Sequence, residues 1–116
     1  EELNEIYYNL NKKYYGDEIN IDEKISWEWA RIPHFYTAFY VYQYATGYSA
    51  AIALSQRILK ENGKDDYINF LKGGSSKYSI DLLKGAGVDM TTAEPVEKAM
   101  EVFANLLDEM ENLLTE

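Results

Sequence analysis

Cysteine is absent from this chain of 116 residues, and histidine occurs once, at His34. Without thiols there is no disulfide, no thiolate metal site and no cysteine nucleophile; a reducing, cytoplasmic setting is expected. One imidazole and no thiol also exclude a zinc site of the usual nitrogen and sulfur type. The motifs H-E-x-x-H and G-x-S-x-G are missing, and the glycine pairs lack the Lys-Ser/Thr of a phosphate loop. No apolar run approaches the roughly 18 residues of a membrane-spanning helix. Positive charge is scarce, with 11 Lys and Arg against 20 Asp and Glu, a net charge of −9. Nucleic acids and anionic membranes are gripped by clustered Lys and Arg, so neither is expected as a partner. The acidity suits solubility and, more weakly, the attraction of cationic peptides. There is no basic-then-apolar leader, and the opening Glu1-Glu2-Leu3 reads as mid-helix, so the chain is expected to be a piece of a longer product.

What is present is mostly helical periodicity. Leu3, Ile6, Tyr7, Leu10 and Tyr14 recur at helical spacing, with Gly16 as a stop. Residues 17 to 25 read as a connector, and residues 26 to 31 as a short helix ended by Pro33, which drives its predecessor out of the helical region. A long helix is expected from about Phe35 to Glu61, closed by Asn62-Gly63. Its small residues, Gly47 and Ser49-Ala50-Ala51, would let another backbone come close. Short helices follow around Tyr67 to Leu71, ended by Gly73-Gly74, and from a Ser79 cap through Lys84, with Gly85 or Gly87 as terminator. A last helix, capped by Thr91 or Thr92 with Pro95 in its first turn, carries a broad apolar stripe from Val96 to Leu114. The expected fold is all-α.

The most unusual segment is Arg31 to Ser49, R-I-P-H-F-Y-T-A-F-Y-V-Y-Q-Y-A-T-G-Y-S, which holds His34 and five of the 11 tyrosines. Tyrosine at this density supplies large apolar faces that end in hydroxyls needing partners, a surface suited to a polar guest such as a peptide backbone. His34 follows Pro33 and is expected at the N-terminus of the long helix, where free N–H groups and the dipole favour an anion. Tyr36 is two residues on, Tyr40 one turn further along the same face, and Arg31 three residues before. Imidazole, phenol and guanidinium are donors suited to a carbonyl oxygen becoming an oxyanion. A lone histidine is by default a satisfied structural residue. Tyr44 and Tyr48 run away from the His34 end and are expected in the core.

At W-A-R-I-P-H-F-Y-T-A-F-Y-V-Y-Q-Y-A-T-G-Y-S-A-A-I-A-L, and again at F-L-K-G-G-S-S-K-Y-S-I-D-L-L-K-G-A-G-V-D-M-T and E-P-V-E-K-A-M-E-V-F, the sequence resembles oligoendopeptidase F. This is the bacterial branch of the thimet-oligopeptidase-like zinc metallopeptidases. The resemblance runs from about Ser26 to the end and more loosely over the start. It implies that residues 1–116 are the C-terminal segment of a helical metallopeptidase catalytic domain, a bundle fragment forming one side of a deep cleft. It implies short peptide substrates and a zinc ion bound upstream by an H-E-x-x-H helix and a further glutamate, with no metal ligand in this chain. The other partner implied is the N-terminal part of the same enzyme. By motif position His34, Tyr36 and Tyr40 would be catalytic, and Tyr42 and Arg31 would bind substrate, Arg31 being equally suited to a structural ion pair. The isolated chain is expected to be inactive.

The rival reading is a free-standing helical module that grips a peptide in its tyrosine groove without catalysis. A piece of a cleft enzyme should expose a large apolar patch where the rest of the protein belongs, whereas a natural module should cover its stripes.

Overall fold

The computed structural model describes residues 1–115, and among them the fold is all-α: five α-helices, two 3₁₀ helices and no strand. In order these are α1 (Glu2–Tyr15), two 3₁₀ helices (Glu23–Arg31 and Pro33–Tyr36), α2 (Tyr42–Lys60), α3 (Lys64–Gly73), α4 (Ser79–Gly85) and α5 (Glu94–Thr115). The chain divides into two compact units, Glu1–Tyr42 and Gln43–Glu116.

In the first unit, α1 ends as expected at Gly16, whose φ of 76° suits a residue without a Cβ. The first 3₁₀ helix packs against α1, and Trp29 Nε1 donates to Asn4 Oδ1 at 2.7 Å across 25 residues of chain. The element begins at Glu23, three residues earlier than expected, because Asp22 Oδ1 accepts from the Lys24 N–H and caps it. Ile32 is extended (φ −93°, ψ 104°), as the residue before a proline should be.

The expected long helix from Phe35 does not form. Pro33–Tyr36 is a single 3₁₀ turn, residues 37 to 41 are turn and bend, and α2 starts only at Tyr42. Thr37 N–H donates to His34 O and Tyr40 N–H to Thr37 O, both at 3.3 Å, so two tight turns replace two helical ones. Phe39 sits at φ 59°, in the left-handed region that a helix cannot contain.

The second unit holds the buried core: Ala53 and Leu54 of α2 with Ala86 and Val88, and Tyr67, Phe70, Leu83 and Met90 packed around them. Ser49 and Ala50 are buried as the small-residue run suggests, but a Cβ at Gly47 would meet nothing within 4 Å, so no backbone approaches there. The helix ends follow one chemistry. After α2, Asn62 takes φ 56° and Gly63 N–H donates to Arg57 O at 3.0 Å. After α4, Gly87 takes φ 81°, its N–H donates to Lys84 O at 3.0 Å and the Val88 N–H to Leu83 O at 2.9 Å, closing a Schellman motif with buried Val88 packed near Leu83. Tyr78, not Ser79, precedes α4, and α5 begins after Thr92. The threonines instead serve the loop: the Thr91 hydroxyl donates to Asp89 Oδ1 at 2.6 Å and the Thr92 hydroxyl to Asp89 O at 2.9 Å. Among the described residues no helix is long and apolar enough to cross a membrane.

Candidate functional site

The sequence-predicted site residues Arg31, His34, Tyr36, Tyr40 and Tyr42 all fall in the first unit. Their geometry differs from a helical ladder. His34 is the second residue of a four-residue 3₁₀ turn, so it has no long helix and no dipole behind it. Tyr40 is not one turn along a shared face. The double turn folds it back instead, and its ring stacks on the imidazole with centroids 5.4 Å apart and planes at 28°. His34 and Tyr40 thus meet by chain reversal, on an exposed surface.

Tyr36 is held differently. Its hydroxyl donates to the Ala30 carbonyl at 2.8 Å, tying the His34 turn to the end of the preceding 3₁₀ helix. The ring remains 66% exposed, so the bond fixes its direction without removing it from solvent. Arg31 pairs with Glu28 three residues back, the ion-pair option foreseen for it, and its side chain stays exposed. Tyr42 opens α2 and is 58% exposed. Tyr44 and Tyr48, expected in the core, are both more than half exposed. The tyrosine run is therefore a surface and not a packing stripe.

Beside the turn lies an apolar cavity of about 450 Å³, lined by Leu3, Ile6, Tyr7 and Leu10 of α1 and by Trp29, Phe35 and Tyr36. Phe35 meets Tyr7 edge to face, with centroids 6.2 Å apart and planes at 74°. The periodicity of α1 shows its apolar stripe, but the cavity arises only because Pro33–Tyr36 turns back toward it. Tyr36 is common to the cavity and to the polar surface, so one phenol borders both an apolar hollow and the His34 turn. Among the described residues, no group of three His, Cys, Asp or Glu side chains could hold a metal ion.

A family model described as peptidase family M3 matches residues 1–102. The chain is 64% identical over 115 residues to oligopeptidase PepF of Bacillus subtilis, covering 97% of this chain and 17% of that protein. It is 48% identical to group B oligopeptidase PepB of Streptococcus agalactiae, covering 98% and 19% respectively. The crystal structure of oligoendopeptidase-F from Enterococcus faecium superposes with a TM-score of 0.86 at 46% identity, covering 97% of this chain and 22% of that one. The chain thus spans about a fifth of the length of these relatives.

Proposed function

The chain belongs to peptidase family M3, and from that premise we propose that residues 1–116 form the C-terminal segment of the catalytic domain of a zinc oligoendopeptidase. In this reading they make one wall of the cleft, and the substrates are short peptides. Among the described residues no group of three His, Cys, Asp or Glu side chains could hold a metal ion; this reading assigns a catalytic zinc to ligands in the rest of the enzyme and gives this chain hydrogen bonding and shape. A cytoplasmic setting is part of the same proposal, in keeping with a chain that has no cysteine.

When a peptide bond is hydrolysed, the scissile carbonyl oxygen gains negative charge as the tetrahedral intermediate forms. A positioned N–H or O–H donor stabilises that oxygen more in the transition state than in the ground state, which is what raises turnover. The observation that carries the proposal is the stacked pair of His34 and Tyr40 on an exposed turn. The imidazole and phenol in face contact hold each other's orientation at the surface, and this reading assigns to them the N–H and O–H that donate to a bound peptide. Tyr36 supplies a third donor. Its present acceptor is a backbone carbonyl, so exchange for a substrate carbonyl replaces one bond by another of the same kind. Tyr42 and the Arg31–Glu28 pair would border the same peptide.

The test is made in the full-length enzyme, with His34→Ala, Tyr36→Phe and Tyr40→Phe. Loss of an oxyanion donor lowers kcat by about 10²–10³, and KM should change little because the interaction belongs to the transition state. Near-wild-type kcat in all three variants would remove these residues from the chemistry.

A further inference from the structure

Within its own unit α5 uses a narrow face. Pro95 and Ala99 are buried and Val102 is half-buried. A second apolar face lies beside it. Val96, Met100, Phe103, Leu107, Met110 and Leu114 follow one another at intervals of 4, 3, 4, 3 and 4 residues, and each is between 41% and 77% exposed. This alternation keeps apolar side chains on one side of a helix packed against another helix. From Phe103 to Thr115 every residue is exposed. A helical segment of that length is marginal in water without tertiary packing, and a contiguous apolar face of this kind marks an interaction surface.

The charges along α5 narrow the choice of occupant. Between Glu94 and Thr115 there are six acidic residues and one basic one, Lys98. That lysine is already engaged, with its Nζ 3.0 Å from Glu94 Oε1 and 3.6 Å from Glu61 Oε1. Glu97 and Glu111 stand directly beside the seam. A second copy of α5 would lay acid against acid, whereas a helix flanked by Lys and Arg would complement it. About four-fifths of each relative's length lies outside the part this chain matches, and a segment from it would act at high effective concentration because it is covalently joined.

We propose that the exposed seam of α5 is the seat of an amphipathic helix with basic flanks, contributed by the remaining part of the same full-length polypeptide. This rests on the reading of the chain as one segment of a longer enzyme, and not on the chemistry of His34.

The test uses the full-length protein at a concentration where sedimentation shows a monomer. Hydrogen peroxide converts accessible methionines to sulfoxides, and peptide mapping by mass gives the rates at Met100 and Met110. Both are expected to oxidise at least about tenfold more slowly in the folded protein than in the same protein held in denaturant. Rates within about twofold of each other would overturn the proposal. So would protection that disappears as a dimer is diluted, which identifies a second copy, or a natural polypeptide no longer than these residues. The double variant Glu97→Lys, Glu111→Lys is expected to speed oxidation severalfold at low salt and less at 1 M salt, where charge effects are largely screened. No change at low salt would overturn the basic flanks. Turnover of His34→Ala, Tyr36→Phe and Tyr40→Phe is a separate readout: near-wild-type kcat in all three with Met100 protected defeats the catalytic reading and leaves this one standing.

Discussion

The two units of the chain are built on opposite plans. Residues 1–42 contain no buried residue. Their order comes from point ties: Trp29 to Asn4, Tyr36 to the Ala30 carbonyl, and edge or stacked contacts between aromatic rings. Residues 43–115 enclose a small aliphatic core and close two of their helices with left-handed residues. The contrast teaches a division of labour. If the proposed donors His34, Tyr36 and Tyr40 serve a guest they must stay on the surface, so the segment that carries them cannot gain stability by burying them and relies on a few directional bonds. The other segment carries no such demand and can spend its apolar residues on packing.

The sharpest way to break this comparison is to separate function from stability. On the proposed reading, His34→Ala in the full-length enzyme should lose about 10²–10³ in kcat while its melting temperature falls only slightly, because the stack with Tyr40 lies on an exposed turn. A large fall in melting temperature would instead make His34 a structural residue. Next in size is a pair of glycine substitutions in the second unit. Gly87→Ala places a Cβ at φ 81°, 2.4 Å from Arg57 Cζ, and should cost about 1–3 kcal/mol in urea unfolding. Gly47→Ala, inside α2 with open space around it, should stabilise by about 0.5–1 kcal/mol. Equal effects would mean that the left-handed caps do not matter.

A smaller effect belongs to the first unit. Trp29→Phe removes the donor to Asn4 Oδ1 and should cost about 1 kcal/mol, read as faster amide exchange in α1 and the first 3₁₀ helix with the α2 amides unmoved. The smallest is a pH effect. The Asp89 carboxyl is lowered from 3.8 to about 2, first by the hydrogen bond from Lys84 and then by the Thr91 hydroxyl and N–H. A lowered pKa in the fold contributes stability that is fully present above the ordinary value and is lost as pH falls from about 4 toward 2. The unfolding midpoints of wild type and Asp89→Asn should therefore converge over that range, by a modest amount because the pair is exposed to solvent. A gap constant with pH would rule the carboxylate out as the cause.

Much of the fold was legible in the letters. Gly16, Asn62-Gly63, Gly73-Gly74 and Gly87 stand where α1, α2, α3 and α4 stop, because left-handed and cap geometries select those residue types. The break between Tyr36 and Tyr42 was not legible. F-Y-T-A-F-Y has helical spacing and contains neither glycine nor proline, so no local signal interrupts the pattern. A weak sign is there in hindsight: aromatic residues with Thr37 and Val41 are poor helix formers, and a series of them tolerates a turn. Burial was the second gap. Periodicity marks which residues share a face but not whether anything covers it, so Tyr44 and Tyr48 were expected inside and are exposed. At the site, residue types pointed to His34 and its tyrosines, while the stack that joins His34 to Tyr40 depended on the unforeseen turn.

Phe39 carries the consequence of that turn. A bulky side chain at φ 59° costs the fold roughly 1–2 kcal/mol that a glycine would not. Glycine there would also multiply the backbone states open to the loop, and the imidazole would spend less of its time against the Tyr40 ring. The phenylalanine thus trades some folding free energy for a narrower ensemble, and on the proposed reading Phe39→Gly should lower the kcat of the full-length enzyme.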